Sequence, residues 1–375
     1  MPDATEPAEL RGAFGILDPL PQPRVLSLLL TLRCTAECAE CGTHSSPRVR
    51  TRLPEAEAAR LIDEAAADNY DLIAFTGGEP MLYGIGLRRL IQRATDHAMP
   101  SRMVSNAFWA RTPDKAARAL EPLVEAGLSE LNVSTGDEHA RFVPIERVLH
   151  AVRAGLDHGL LCAVMIETRA ANRVNRRTLC EHPLFQETFS PHEQESLTFC
   201  ESPWMPLDEH EHFTYPDGMT INAANLFRRT GCDSVIDTVT VLADGRIMAC
   251  CGLGTQSIPE LQVGHVSTDG VRESRSRAEA DFLKRWIRDE GPERILAWAA
   301  AKDPRILWED QYAHRCQACK RLYSDPLVAD VVREHYEEKV LDVLTSEWLM
   351  HKPLQQQSRT ESAPSPATVP VSDGS

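Results

Sequence analysis

The feature that most constrains this chain is Cys34-Thr-Ala-Glu-Cys38-Ala-Glu-Cys41, which follows the apolar run Val25 to Leu32 almost directly. Three thiols within eight residues, set just after a predicted strand, make a compact soft-ligand group suited to an iron–sulfur cluster or to zinc. Only three ligands are supplied. A four-iron cube needs four, so one iron would be left open to an exogenous ligand, whereas a closed zinc site needs a fourth local donor such as His44. Spacing alone leaves both open, with uncoordinated thiols as a third reading.

A second landmark, Phe75-Thr-Gly-Gly-Glu-Pro80, stands at the end of the apolar run Leu72 to Phe75, so both motifs fall at the same ends of neighbouring strands. In a parallel α/β sheet that edge is where ligands bind. Gly77 and Gly78 let backbone approach a ligand closely, and Glu79 ahead of Pro80 offers a fixed carboxylate to an amine. The Cys-x3-Cys-x2-Cys group after one strand and Gly-Gly-Glu-Pro after the next together resemble the radical S-adenosylmethionine (radical SAM) superfamily.

The composition agrees. With 375 residues, 42% of them hydrophobic, the chain can build a large domain and a smaller one. A formal charge of −15 without a long basic run argues against nucleic acid as main partner. No apolar run approaches the ~20 residues that span a bilayer, and the acidic, proline-bearing start is unlike a signal peptide, so a cytoplasmic protein is expected. Eleven cysteines, an odd number gathered in short motifs, suit metal ligation better than disulfides.

Residues 1–23 read as an extension. Over 24–228, strands Val25–Leu32, Leu72–Phe75, Arg102–Ser105, Glu130–Ser134 and Leu160–Glu167 alternate with helices Glu55–Ala67, Ile85–His97, Pro113–Ala126, Ile145–His158 and Arg176–Thr188, and Thr198-Phe-Cys-Glu-Ser offers a sixth strand. Gly127 and Gly159 stand where helices end. The alternation predicts a parallel α/β sheet with right-handed crossovers. About six repeats make an incomplete (β/α)6 barrel, as the resemblance also implies.

The resemblance implies that Glu79, Asn106 after the third strand, Ser134 and Asp137 after the fourth and Arg169 after the fifth hold SAM. Each has a plainer reading as a turn or cap residue, and Asp137 lies one residue later than the commonest spacing, with Gly136 in its place. The family's usual aromatic residue before the last cysteine is here Glu40, so the contact it makes is either missing or supplied by another residue such as Phe108 or Trp109. His139 reads as a loop histidine.

Over 229–350 the pattern changes. Asp244-Gly245 between two apolar β-rich runs is a hairpin signal. Cys232-x12-Gly245-x4-Cys250, a long gap and Cys316-Gln-Ala-Cys319 resemble the auxiliary-cluster module of many radical SAM enzymes, in its shortened twitch form rather than the longer SPASM form. Cys232, Cys250, Cys316 and Cys319 would then close a second [4Fe–4S] cluster, with a zinc knuckle as the alternative. Helices are expected over Arg277–Arg288 and from Leu327 to about Leu349, and the Ser-, Pro- and Gln-rich tail 351–375 reads as disordered.

By the same resemblance, a [4Fe–4S] cluster on Cys34, Cys38 and Cys41 would bind SAM and, given one electron from a flavodoxin- or ferredoxin-type donor, release a 5′-deoxyadenosyl radical that abstracts hydrogen from substrate. Ribosomally made peptides, epimerised or cross-linked, are the substrates this architecture implies first. A sugar or cyclitol dehydrogenase or epimerase is the alternative, and a non-enzymatic metal-binding or redox-sensing protein is a third reading. Cys162 reads as a core residue and Cys180 has no partner motif. Cys251, beside a ligand, is the candidate hydrogen donor with Cys200 as rival, and a spare thiol or an alternative cluster ligand is its plainer reading.

Overall fold

The structure, a computed structural model, describes residues 23–207 and 213–361, and the expected N-terminal extension lies outside them up to residue 22. The chain begins with β1 (Val25–Thr31), whose residues after Val25 are all buried, as a strand covered on both faces requires. Helix α1 (Glu55–Ala67) buries Ala58, Leu61, Ile62 and Ala65, the i, i+3, i+4, i+7 face of an amphipathic helix. The alternation continues through β2 (Leu72–Gly77), α2 (Ile85–Asp96), β3 (Ser101–Ser105), α3 (Pro113–Glu125), β4 (Glu130–Thr135) and the single turn α4 (Asp137–Ala140). Then come α5 (Ile145–Asp157), β5 (Leu161–Thr168), α6 (Arg176–Cys180), α7 (Pro183–Thr188), α8 (Pro191–Ser196) and β6 (Thr198–Pro203). Gly127 and Gly159 follow α3 and α5 with φ of 98° and 75°, left-handed values that glycine adopts without strain.

All six strands pair in parallel and in sequential order, so the motif-bearing ends of β1 to β5 lie along one edge. Beyond β1 the sheet goes on: β7 (Thr238–Val241) pairs parallel to β1, and β8 (Arg246–Met248) and β9 (Gln262–His265) add antiparallel. The Asp244-Gly245 hairpin is therefore present, with Gly245 at φ 93°. Helices α9 (Val271–Ala280), α10 (Phe282–Glu290), α11 (Pro292–Lys302), α12 (Arg315–Ser324) and α13 (Pro326–His335) follow. Residues from Pro23 to Tyr336 pack as one compact unit, and α14 (Glu337–Glu361) belongs to another.

Three helices differ from expectation. Arg176–Thr188 is divided, because Pro183 cannot donate the helical hydrogen bond and His182 caps a new turn. Arg277–Arg288 is split at Asp281, whose extended backbone (φ −91°, ψ 114°) and side chain cap Lys284 N–H of the second helix. Leu327–Leu349 is two helices, interrupted at Tyr336 although that residue's own backbone stays helical. Helix α14 runs on to Glu361, into the stretch whose composition argues for disorder; residues 362–375 lie outside the described residues.

Candidate functional site

The Gly-Gly-Glu turn is built against the start of the cysteine loop. Gly78 N–H donates to Thr31 O at 2.6 Å and Glu79 N–H to Arg33 O at 2.9 Å. The approach leaves no room for side chains: a Cβ on Gly77 would stand 2.4 Å from Thr31 O, and one on Gly78 2.5 Å from Arg33 O. Gly77 also sits at φ 127°, a glycine conformation. Pro80 then opens a short 3-10 turn, Pro80–Tyr83, with Glu79 as its cap through Met81 N–H at 3.1 Å.

Glu79 is wholly buried and its carboxylate accepts from three donors, Met81 N–H among them. Asn106 N–H donates to it at 2.9 Å, and Ser105 Oγ at 3.0 and 3.1 Å. The Ser105 hydroxyl has one proton to give, and its oxygen already accepts from Ala107 N–H (3.1 Å) and Trp109 Nε1–H (2.9 Å). That proton must therefore point at Glu79. Burial pushes Glu79 up to about 7, while these donors pull it down. Asn106 links the two motifs, donating through Nδ2 to Cys34 Sγ (3.4 Å) and Thr35 Oγ1 (3.2 Å). Trp109 thus anchors Ser105.

Cys34 is buried, and Cys38 and Cys41 half-buried. Burial pushes the Cys34 thiol up to about 11 and the Cys38 thiol up to about 12, and the negative charges of neighbouring thiols and carboxylates, including Cys41, add to both. Cys34 and Cys38 ionise readily only beside a cation, which is what a metal cluster provides.

The ends of β4 and β5 meet over a buried carboxylate. Glu167 accepts from His139 Nδ1 at 3.0 Å and from Glu138 N–H, and its side chain occupies the space a Cβ on Gly136 would need. Ser134 lies half-buried on β4 beside Met165 of β5. Asp137 turns to the loop after β5, accepting from Arg173 N–H (3.0 Å) and Val174 N–H (2.7 Å), so the partners of its loop-capping reading are in place. Arg169 stacks on Phe213 at 4.0 Å and stands 4.0 Å from Glu138, yet its buried Nη2 has no hydrogen-bond partner among the described residues.

A second cysteine group forms where the β7–β8 hairpin meets α12. Cys250 is buried and, with Cys316 and Cys319, held well above the usual thiol range by burial; Cys232 is in electrostatic reach of all three. Gly252 separates two of them, since a Cβ there would stand 2.9 Å from Cys316 Sγ and 3.6 Å from Cys250 Sγ. Gly231 ahead of Cys232 is obligatory for a similar reason, its Cβ position falling 1.9 Å from Arg288 O. Cys316 N–H donates to His314 Nδ1 at 3.1 Å, and burial with Arg315 and Arg229 pushes His314 down to about 4. Cys251 is exposed, with Sγ 3.2 Å from Ser234 Oγ. Among the described residues no group of three or more His, Cys, Asp or Glu side chains is disposed to hold a single metal ion.

The two cysteine groups belong to one assembly. Glu40, in the position where an aromatic residue was expected, accepts from Leu207 N–H, and Lys320, next to Cys319, donates to Leu207 O at 3.1 Å. Gln256 Nε2 donates to Gly42 O at 3.2 Å. Nearby, a cavity of about 460 Å³ opens between Glu201–Pro203 on β6, Pro216–Met219, Arg229 and His314–Arg315. The sequence places Ser105, His139 and Glu167 at strand ends that could face a ligand without assigning them a role, and Arg315 is the residue it passes over. The Ser-Asn turn and the position just before Cys316 were the available signals.

Known proteins resemble this chain in part. No family model matches it. The "Putative peptide biosynthesis protein YydG" of Bacillus subtilis (strain 168) is 29% identical over 121 residues, which is 32% of this chain and 38% of that protein. The chain thus matches well under half the length of that relative. Among solved structures, anSMEcpe with bound AdoMet has a TM-score of 0.49 at 14% identity, covering 83% of this chain and 99% of that one. BtrN in complex with AdoMet and 2-DOIA has a TM-score of 0.43 at 11% identity, over 73% and 90%. SuiB of Streptococcus suis bound to the precursor peptide SuiA has 0.40 at 12%, over 66% and 63%.

Proposed function

We propose that the chain is a radical SAM enzyme that modifies a ribosomally made peptide. The observation that carries the reading is the junction of the two motifs: Asn106 hydrogen-bonds Cys34 through its side chain and Glu79 through its main chain, so the thiol group and the buried carboxylate form one site. The donor set fits the cofactors. Cys34, Cys38 and Cys41 would hold a [4Fe–4S] cluster with one iron left for SAM, Glu79 and the Gly77–Gly78 backbone would face its amino group, and Arg169, whose Nη2 lacks a partner, would take its carboxylate. Ser134 and Asn106 would line the same edge, with Asp137 ordering the loop beneath. When bound, cluster and SAM would supply a 5′-deoxyadenosyl radical, with the electron coming from a flavodoxin- or ferredoxin-type protein.

The chain's own residues bind, orient and exclude water. Ser105 and Trp109 hold the Glu79 carboxylate in one orientation, and the buried strand ends keep solvent from a reactive intermediate. Cys232, Cys250, Cys316 and Cys319 would hold a second [4Fe–4S] cluster in a twitch-like C-terminal part, and the cavity between β6 and His314–Arg315 would receive the peptide. Peptide as substrate is supported by the name of the YydG relative. Cys251, exposed beside this group, would be the hydrogen donor if the outcome is epimerisation. Among the described residues no helix is long and apolar enough to cross a membrane.

The test is anaerobic reconstitution with iron and sulfide, iron counting and an assay for 5′-deoxyadenosine from reduced protein and SAM. About eight irons per chain and deoxyadenosine release are expected. Zinc retention without deoxyadenosine would end the radical reading.

A further inference from the structure

Arg315 occupies the position just before Cys316 and faces two ways. Toward the cysteines, its Nη1 donates to Gly231 O at 3.0 Å and lies 3.7 Å from Asp233 Oδ1, with the Cys232 thiol in electrostatic reach of the guanidinium. Toward solvent, it lines the 460 Å³ cavity. Behind it lies Glu293, in the first turn of α11. That residue is 1% exposed, and neither carboxylate oxygen has a hydrogen-bond partner among the described residues. A buried carboxylate without hydrogen bonds is costly unless a nearby charge offsets the loss of water. The Arg315 cation and Cys319 are among the groups in electrostatic reach of Glu293. The Arg315 guanidinium therefore sits at one corner of the second cysteine group, and the buried Glu293 carboxylate lies near another.

We propose that Arg315 and Glu293 act in opposite senses on the reduction potential of the cluster held by Cys232, Cys250, Cys316 and Cys319. This rests on the reading of those four cysteines as cluster ligands. Reduction adds one negative charge to a cluster. Arg315, bonded to the Gly231 carbonyl beside the Cys232 ligand, stabilises the reduced form and raises the potential, while Glu293 opposes the added charge and lowers it. Burial leaves little water to screen either effect. Both residues act on the potential through the cluster, and the pair holds it between the values that either charge alone would set.

The experiment uses the full-length chain with Cys34, Cys38 and Cys41 all replaced by Ala, so that the second cluster is observed alone. After anaerobic reconstitution, iron is counted and the cluster is titrated reductively under electron paramagnetic resonance. About four irons per chain are expected in this background and in each variant. Relative to it, Arg315→Gln lowers the midpoint potential, Glu293→Gln raises it, Arg315→Lys stays near the parent, and the Arg315→Gln/Glu293→Gln double variant returns toward the parent. Shifts in the same direction, or no shift in either single variant at full iron content, overturn the proposal. Should Arg315→Gln lose its iron, Glu293→Gln alone decides, and an unmoved midpoint there refutes it. A parent that binds no iron removes the cluster reading itself and the proposal with it.

Discussion

Glu79 is the residue on which the first site turns, and its surroundings make two measurable statements. Because Met81 N–H, Asn106 N–H and the Ser105 hydroxyl all donate to it, Glu79→Gln leaves an amide N–H₂ facing donors. Losing a charge-assisted contact to an amine costs about 1.5–3 kcal/mol, so SAM affinity in the reconstituted protein should fall on the order of 10- to 100-fold, as read by equilibrium binding. The pH dependence follows from burial, which raises the residue from 4.5 to about 7. Between those values the native chain keeps a proton that the unfolded chain has released. The contribution of Glu79 to stability is therefore fully present below pH 4.5 and is lost as pH rises through about 7. Denaturant midpoints of metal-free protein across this range should fall for the parent and stay flatter for Glu79→Gln; parallel slopes would contradict the assignment. Gly78→Ala forces a methyl group to 2.5 Å from Arg33 O and should cost roughly 2–4 kcal/mol, seen as a lowered melting temperature.

At the scale of elements, the close contacts are between helix and strand. Gly155 of α5 lies directly over Cys162 of β5, with a Cβ there only 2.6 Å from Cys162 Sγ. Cys162 is thus a packing residue, half-buried rather than fully enclosed. Gly155→Ala should destabilise by about 1–3 kcal/mol, and adding Cys162→Ala should recover part of that loss, because the methyl group then fills the space the sulfur vacates. Strict additivity in a double-mutant cycle would count against this packing. The second element-level contact is the Leu207 peptide, gripped on its N–H by Glu40 and on its carbonyl by Lys320. Glu40→Ala should speed amide hydrogen exchange in the cysteine loop around 38–46 without moving the strands of the sheet.

Across the molecule, β7 pairs with β1 and carries the hairpin that delivers Cys250. The second cysteine group is therefore attached to the same sheet as the first, and residues 23–336 pack as one unit. Replacing all of Cys232, Cys250, Cys316 and Cys319 by Ser should halve the iron from about eight to about four per chain. It should also lower the melting temperature of a single cooperative transition. Two separate transitions in calorimetry would mean that the parts unfold independently.

Much of this was legible in the order of residues. Apolar runs of strand length and glycines past helix ends act locally, through backbone conformation, so the alternation from β1 to β6 could be read directly. Even Pro183, which divides a helix expected to be continuous, was visible as a breaker. Folding alone brought β7 to the open edge of β1, turned Asp137 toward the loop after β5, pointed the Ser105 proton at Glu79 and set Glu293 behind Arg315. These depend on which distant segments share a neighbourhood. A hydrogen-bond partner or the charge facing a buried carboxylate has no signature in the local pattern.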